Sequence, residues 1–318
     1  MTLDDVLHTV LAPGAMLAYD TPAAWWRDHL ARTARFSLPI DRAIAGATQV
    51  DRLGFAFAGG YAAALQAMVP ALPRETLVSF AATEEGGAHP RAIMTTLTRQ
   101  SDGGFVLSGS KKWVTLGPEG GAVLVVARLG DAPSADRPRL RVARVDAHAR
   151  GVTITPLAAT AFVPEIPHAS IRFDDVRLAS DAVLPGDGYD AYLKPFRTTE
   201  DLHVHAALSA WLVSIGVRAM WPRELLARGT ALLVSIRALA SEPASSPHVH
   251  VALGGVIEES KALVAAIEPA WSGVDLELRG RWERDRVLLS VATSARVQRL
   301  AKAWETISTG VVRGADAT

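Results

Sequence analysis

The sequence predicts a chain of mixed α and β class in three parts: an N-terminal helical domain over 1–75, a central antiparallel β-barrel or β-sheet domain over 76–188, and a C-terminal four-helix bundle over 189–318. Three observations lead there. The chain has 318 residues, and single cores stop growing at roughly 250–300, so internal boundaries are required. Helical patterning at both ends gives way between about 76 and 185 to short β-branched runs separated by turn signals. Those runs follow one another without helical stretches between them, which argues against a doubly wound parallel sheet.

At the start, residues 3–11 form a short helical segment. Pro22 places its ring in the first turn of a second segment containing Trp25 and Trp26. An alanine-rich run over 50–68 is closed by Pro70 and Pro73. The β part begins with Leu77-Val78-Ser79-Phe80 and continues over 104–108, 122–128, 140–145, 152–156 and 169–173. Asp102-Gly103-Gly104, Gly117-Pro118 and Pro167-His168 punctuate it. Four helical segments then follow, over 198–221, 222–241, 248–271 and 276–308. Pro222, the stretch from Pro243 to Pro247, and Ser272-Gly273 break them. Leu253, Ile257, Val264, Ile267 and Trp271 recur near helical spacing in the third; Leu300, Trp304 and Ile307 do so in the fourth. Four such helices pack most economically as a bundle.

Net charge is zero, so no global field draws the chain to nucleic acid or an anionic membrane. It has no cysteine, which removes disulfides, thiolate nucleophiles and zinc-thiolate sites and fits a cytoplasmic location. Met1-Thr2-Leu3-Asp4-Asp5 lacks the basic and apolar regions of a signal peptide. The most apolar window, 204–217, is interrupted by His205, Ser209 and Ser214 and falls short of the roughly 18–20 residues of a bilayer span, so it reads as a buried helix. Gly104 to Lys111 has the residues of a phosphate loop in the wrong order and lies between strands. His203/His205 and His248/His250 are two apart, pointing about 200° away from each other on a helix; they cannot share a metal and read as surface or helix-end histidines. The run from Arg281 to Arg286 reads as a solvated face with intrahelical ion pairs. Neither a hydrolase nucleophile elbow nor a glycine-rich dinucleotide fingerprint is present.

The most informative stretch pairs Phe80-Ala81-Ala82-Thr83-Glu84 with Lys111-Lys112-Trp113-Val114-Thr115 across one hairpin. If that hairpin folds back, backbone groups and the hydroxyls of Thr83 and Thr115 converge on one flat hydrogen-bonding ligand, with Trp113 as an apolar wall. An isoalloxazine ring suits that arrangement better than a phosphate or a metal.

These two segments resemble the acyl-CoA dehydrogenase family, whose middle domain carries aromatic-x-x-Thr-Glu followed by a strand of the type Gly-x-Lys-x-Trp-Val-Thr. Phe173-Asp174-Asp175-Val176-Arg177-Leu178, followed by Leu184-Pro185-Gly186-Asp187-Gly188, extends the resemblance, as does the order helical, β, helical. The resemblance implies FAD between the β domain and the bundle. Thr83 and Thr115 would hydrogen-bond the flavin, Trp113 would pack against it, Phe80 and Ala82 would line the site, and His89 would lie near a phosphate. It further implies α,β-dehydrogenation of an acyl-CoA or acyl-carrier thioester, in which a carboxylate takes the α-proton and the β-hydrogen passes to the flavin as hydride. An electron-transfer acceptor and a homodimer or homotetramer are implied as partners.

The sequence also departs from the family. After Arg284-Asp285 the chain reads as an unbroken helix with Thr293 where a gapless count places the family's glutamate. Some relatives carry that base on the first bundle helix, where this chain has Glu200; a carboxylate there also suits the helix dipole. The family's Arg-x-x-Phe-Gly, which reaches a neighbouring subunit's FAD, is not found in 222–241, and the N-terminal domain is short. Two alternatives therefore stand beside the dehydrogenase: a non-catalytic relative serving assembly or binding, and a flavin oxidase or monooxygenase that needs no base.

Overall fold

The computed structural model describes residues 1–130 and 138–315. Its elements run helical, β, helical. Helices α1 (Leu3–Leu11), α2 (Pro22–Thr33), α3 (Pro39–Ala47) and α4 (Leu53–Met68) form the first layer. Thr2 and Asp5 close a reciprocal capping box on α1, and Pro22 and Pro39 open α2 and α3 in the position where a missing N–H costs nothing. Only α3 was not legible, being nine residues long and buried from Ile40 to Ala47, Asp41 and Arg42 included.

Strands β1 (Val78–Ala81), β2 (Thr96–Arg99), β3 (Phe105–Thr115), β4 (Ala122–Leu129), β5 (Leu140–Asp146), β6 (Val152–Pro156) and β7 (His168–Leu178) make one curled sheet in the order β1-β4-β2-β3-β7-β6, with β5 also on β4. β4 is its hub. β5 lies antiparallel along one edge, while β1 and then β2 lie parallel along the other, pairing Val78–Ala81 with 122–125 and Thr96 and Leu97 with Arg128 and Leu129. The expected sheet is therefore mixed rather than antiparallel throughout. A parallel pair needs a crossover of a dozen or more residues, and here the β2–β3 hairpin supplies it without a helix. Leu124 and Val126 of β4 face the helices, and Val123, Val125 and Ala127 face the inside of the curl, so both sides of the strand are buried.

A π-helical turn (Gly188–Leu193) leads into α5 (Lys194–Arg218), followed by α6 (Arg223–Leu239), α7 (Pro247–Ile267), α8 (Leu276–Asp285) and α9 (Thr293–Ala315). The C-terminal part thus holds five α-helices among the described residues, the fourth predicted segment being divided. α8 ends at Asp285, a 3₁₀ turn covers Arg286–Ser290, Ala292 has φ +65°, and α9 starts afresh. The unbroken helix expected after Arg284 is overturned because Asp285 is fully buried, accepting from the Val163 N–H at 2.7 Å and from Arg284 at 2.7 Å; this pins the chain and forces it to turn. The run 281–286 is a solvated face only in part: Glu283, Arg284 and Arg286 are exposed, and Arg279–Glu283 and Arg281–Glu277 form the expected i,i+4 pairs, whereas Trp282 is buried and stacks on Trp271 at 4.9 Å and Arg281 also reaches Asp51 at 2.6 Å.

α5 runs through the middle of the molecule, covered by α3 and α4 on one side and by α6 on another. That accounts for its apolar window and corrects the reading of its histidines: His203 and His205 are buried, with burial pushing both pKa values down to about 4, so both are neutral. His248 is exposed and His250 half-buried. One continuous core joins Val6 of α1, Leu124 of β4 and Trp282 of α8. No helix among the described residues is long and apolar enough to cross a membrane.

Candidate functional site

Because β1 and β2 share one edge of β4, the chain between them, 82–95, is an excursion out of the sheet. It is held by a charge pair. Glu84 turns inward and accepts hydrogen bonds from the Met94 and Thr95 N–H groups at 2.7 and 3.0 Å and from Lys111 Nζ at 2.7 Å. Burial opposes ionisation of Glu84, but Lys111 and the two N–H groups outweigh it and hold the carboxyl below its usual range. Lys111 is 1% exposed, and burial brings its pKa down to about 8 against the pull of Glu84. A Glu84–Gly87 backbone pair closes the turn, with Gly87 at φ +95°.

Beside this clamp the Lys112 N–H donates to the Thr83 carbonyl at 2.9 Å, so the two segments meet. That bond exists because β3 leaves its ladder with β7 between Lys111 and Val114. The irregularity puts Trp113 at φ +58° and turns its indole outward, 52% exposed and edge-on to His168 at 6.1 Å. Bulges and strained residues of this kind gather at functional sites, where they re-aim a side chain. Thr115 is back in register, opposite His168. The hydroxyls of Thr83 and Thr115 make no hydrogen bond among the described residues. Two free hydroxyls and a bare indole thus flank one break in the sheet. His89 lies on an exposed turn, its Nδ1 accepting from the Arg91 N–H at 3.2 Å.

The helical side is aromatic. Phe80 is buried, with its ring 4.7 Å from Phe196 of α5, and its N–H donates to the Tyr61 hydroxyl at 2.8 Å; Ala82 is also buried. Tyr61 stands edge-on to Phe196 at 6.1 Å. One turn beyond Phe196 on the same face of α5 is Glu200. Burial, then the Asp201 carboxylate, push its pKa up to about 7 against Arg296 and Arg197. Asp201 takes the arginines for itself, pairing with Arg296 at 2.8 Å and with Arg299. Glu200 is left without a hydrogen bond among the described residues, a carboxylate able to accept a proton near neutrality. Thr293 is exposed at the start of α9, donating to Ser290 O, and the sequence holds no carboxylate from Arg286 to Trp304.

A cavity of about 590 Å³ lies among α3, α4, α5 and α6. Leu38, Ile40, Ala67 and Leu72 give it an apolar wall, and His203, one turn beyond Glu200, opens on it. No group of three or more His, Asp or Glu able to hold a metal occurs among the described residues.

Tyr61, Phe196 and the Glu84–Lys111 pair were not read from the sequence. Lys111 did carry a signal: in β3 it has the same parity as the inward-facing Phe105 and Leu107, so its charge requires a buried partner.

Residues 79–176 match the family model described as acyl-CoA dehydrogenase, middle domain. A probable short/branched chain specific acyl-CoA dehydrogenase of Dictyostelium discoideum is 42% identical over 59 residues, which is 18% of this chain and only 14% of that protein. Among solved structures, glutaryl-CoA dehydrogenase from Mycobacterium smegmatis in complex with FADH2 matches with a TM-score of 0.64 at 16% identity, over 96% of this chain and 95% of that one. FMN-bound TdsC from Paenibacillus sp. A11-2 matches with a TM-score of 0.66 at 15% identity, over 95% and 94%. Residues 79–176 carry the middle domain of the acyl-CoA dehydrogenase family, and the chain as a whole has the fold of these solved structures.

Proposed function

We propose that the protein is a flavin-dependent oxidoreductase that binds FAD and dehydrogenates an acyl thioester. The observation that carries this is the break in β3: two threonine hydroxyls without a hydrogen bond among the described residues and a half-exposed tryptophan flank it, and Phe80, three residues before Thr83, packs on Phe196, one helical turn from Glu200. In this reading Thr83 and Thr115 hydrogen-bond the edge of the isoalloxazine, Trp113 covers one face, Phe80 and Ala82 close the apolar side, and His89 lies toward a phosphate. Bound flavin supplies the acceptor for the hydride that leaves the β-carbon. Glu200 takes the α-proton; its elevated pKa keeps it a strong enough base to act near neutrality. The cavity of about 590 Å³ beyond His203 has the size for an acyl chain along its Leu38, Ile40, Ala67 and Leu72 wall, with Arg42, Arg74 and Arg237 on its polar side. Assembly as a homodimer or homotetramer belongs to the same reading.

A second reading, flavin chemistry without α-proton abstraction, is favoured by the absence of a carboxylate from Arg286 to Trp304. One experiment separates the two. The purified protein is expected to be yellow, and an acyl-CoA is expected to bleach it under anaerobic conditions. Glu200→Gln should stay yellow in the same mixture. A yellow wild type that no acyl thioester reduces sinks the dehydrogenase reading, and a colourless protein that takes up no FAD sinks both.

A further inference from the structure

The cavity of about 590 Å³ among α3, α4, α5 and α6 is apolar on one side only. Arg42, Arg74 and Arg237 line the other side, and no carboxylate among the described residues lines it. Arg237 is neutralised, reaching the buried Asp41 at 2.6 and 3.1 Å. The other two are not. Arg42 is 7% exposed and donates to the carbonyls of Phe36 and Ser37 at 3.2 and 2.7 Å and to the Gln66 amide oxygen at 2.6 Å. The Arg74 guanidinium donates only to the Thr33 carbonyl, at 3.5 Å, and neither arginine pairs with a carboxylate among the described residues.

A charge taken out of water needs a partner of opposite sign. Here each guanidinium faces the other instead: burial brings the Arg42 pKa down to about 10, and Arg74 adds to the effect against the pull of Asp41. A small cavity adjoining the same two arginines, lined also by Trp26, His29 and Thr33, holds no carboxylate either. Burial pushes His29 down to about 3 and His203 down to about 4, so both imidazoles are neutral and the charge of the wall resides on arginine alone. The cavity lies close to the aromatic cluster along both helices. His203 is three residues beyond Glu200 on α5, roughly 4.5 Å of helix, and Gln66 is five beyond Tyr61 on α4, roughly 7.5 Å.

We propose that the acyl group taken into this cavity ends in a carboxylate received by Arg42 and Arg74, so that the substrate is the monothioester of a short dicarboxylic acid. This rests on the thioester dehydrogenation proposed for Glu200 and narrows its substrate class. A guanidinium presents a planar fork of donors that matches a carboxylate, and two such forks without a countercharge stand a few carbon atoms from the base. Leu38, Ile40, Ala67 and Leu72 cover the methylenes between. A methyl-ended chain of the same length would strip water from both arginines and give them no partner in return, which discriminates against plain acyl groups.

Isothermal titration of the full chain with two thioesters of equal length tests it: adipoyl-CoA, which ends in a carboxylate, and hexanoyl-CoA, which ends in a methyl. Adipoyl-CoA should bind roughly tenfold tighter or more, as a hydrogen bond to a charged group is worth. Arg74→Met should remove most of that preference by weakening adipoyl-CoA alone, and because the Arg74 guanidinium holds little else, its circular-dichroism melting curve should match wild type. Equal affinity for the two thioesters, failure of both to bind, or a preference that Arg74→Met leaves intact overturns the proposal. Anaerobic bleaching of the flavin separates it from the dehydrogenation on which it rests. A yellow protein bleached by hexanoyl-CoA and not by adipoyl-CoA overturns the carboxylate-ended substrate and leaves dehydrogenation standing. Preferential binding of adipoyl-CoA, lost in Arg74→Met, by a protein that no thioester bleaches supports the anion site and sinks the dehydrogenation.

Discussion

Glu200 is the carboxyl whose titration falls near neutrality. Its pKa of about 7, against a usual 4.5, means that the folded chain holds a proton that the unfolded chain has released. Its stabilising contribution is fully present below about pH 4.5 and is lost as pH rises through about 7. Glu200→Gln should therefore be more stable than wild type at pH 8, by roughly 1–3 kcal/mol, and no more stable at pH 4, as urea titrations at the two pH values would show. Under the role proposed for Glu200 the benefit is opposite: kcat/KM for an acyl thioester should rise through pH 7 and level off, because a general base acts as the carboxylate. A profile flat from pH 5.5 to 8.5 would remove Glu200 from that role. At this scale the sequence was partly legible. Phe80, Thr83, Trp113 and Thr115 stood out by type and spacing. Tyr61 and Phe196 did not, because each looks like any core aromatic until α4, α5 and β1 bring them together.

The element that matters most is β3, where regular strand geometry fails twice. Its register with β7 shifts between Leu107 and Gly109 and again between Lys111 and Val114. At the first shift Gly109 has φ +141°, and a Cβ there would lie 2.7 Å from Thr95 Cα. Gly109→Ala should cost roughly 1–3 kcal/mol in denaturant unfolding, since both the backbone conformation and the space exclude a side chain. At the second shift the prediction runs the other way: Trp113 is exposed and touches little but His168. Trp113→Ala should change stability by no more than about 0.5 kcal/mol, as surface changes do, yet weaken flavin binding at least tenfold by fluorescence titration. Equal flavin affinity in that variant would show that the outward indole has no ligand to cover. Helix and strand periodicity found most elements. β2 was missed because four residues, Thr96–Arg99, with one buried side chain do not show an alternation. The break after Asp285 was missed because the burial of that carboxylate by Val163 joins residues distant in sequence.

At the scale of the whole molecule the order helical, β, helical was written in the composition of the chain, and the family match over 79–176 extends it to a middle domain. Periodicity alone does not convey how the parts depend on one another. α5 buries Leu202, Ala206, Leu208 and Trp211 in the same core as Ile44 of α3 and Leu65 of α4, and the Trp211 indole N–H donates to the Val50 carbonyl at 2.9 Å. Arg237 of α6 pairs with the buried Asp41 of α3 at 2.6 Å, and Arg281 of α8 with Asp51. Removing the first helical layer would expose an apolar face and leave Arg237 without its carboxylate. The N-terminal and C-terminal helices should therefore unfold together. Tryptophan fluorescence reports on both layers, through Trp25 in α2 and through Trp211 and Trp282 in α5 and α8. Thermal melts followed by fluorescence and by circular dichroism at 222 nm should coincide in a single transition, as two-state behaviour requires. Two resolved transitions, one of them lost on deletion of 1–75 with the other unmoved, would mean that the shared core contributes little and that the helical layers are independent units.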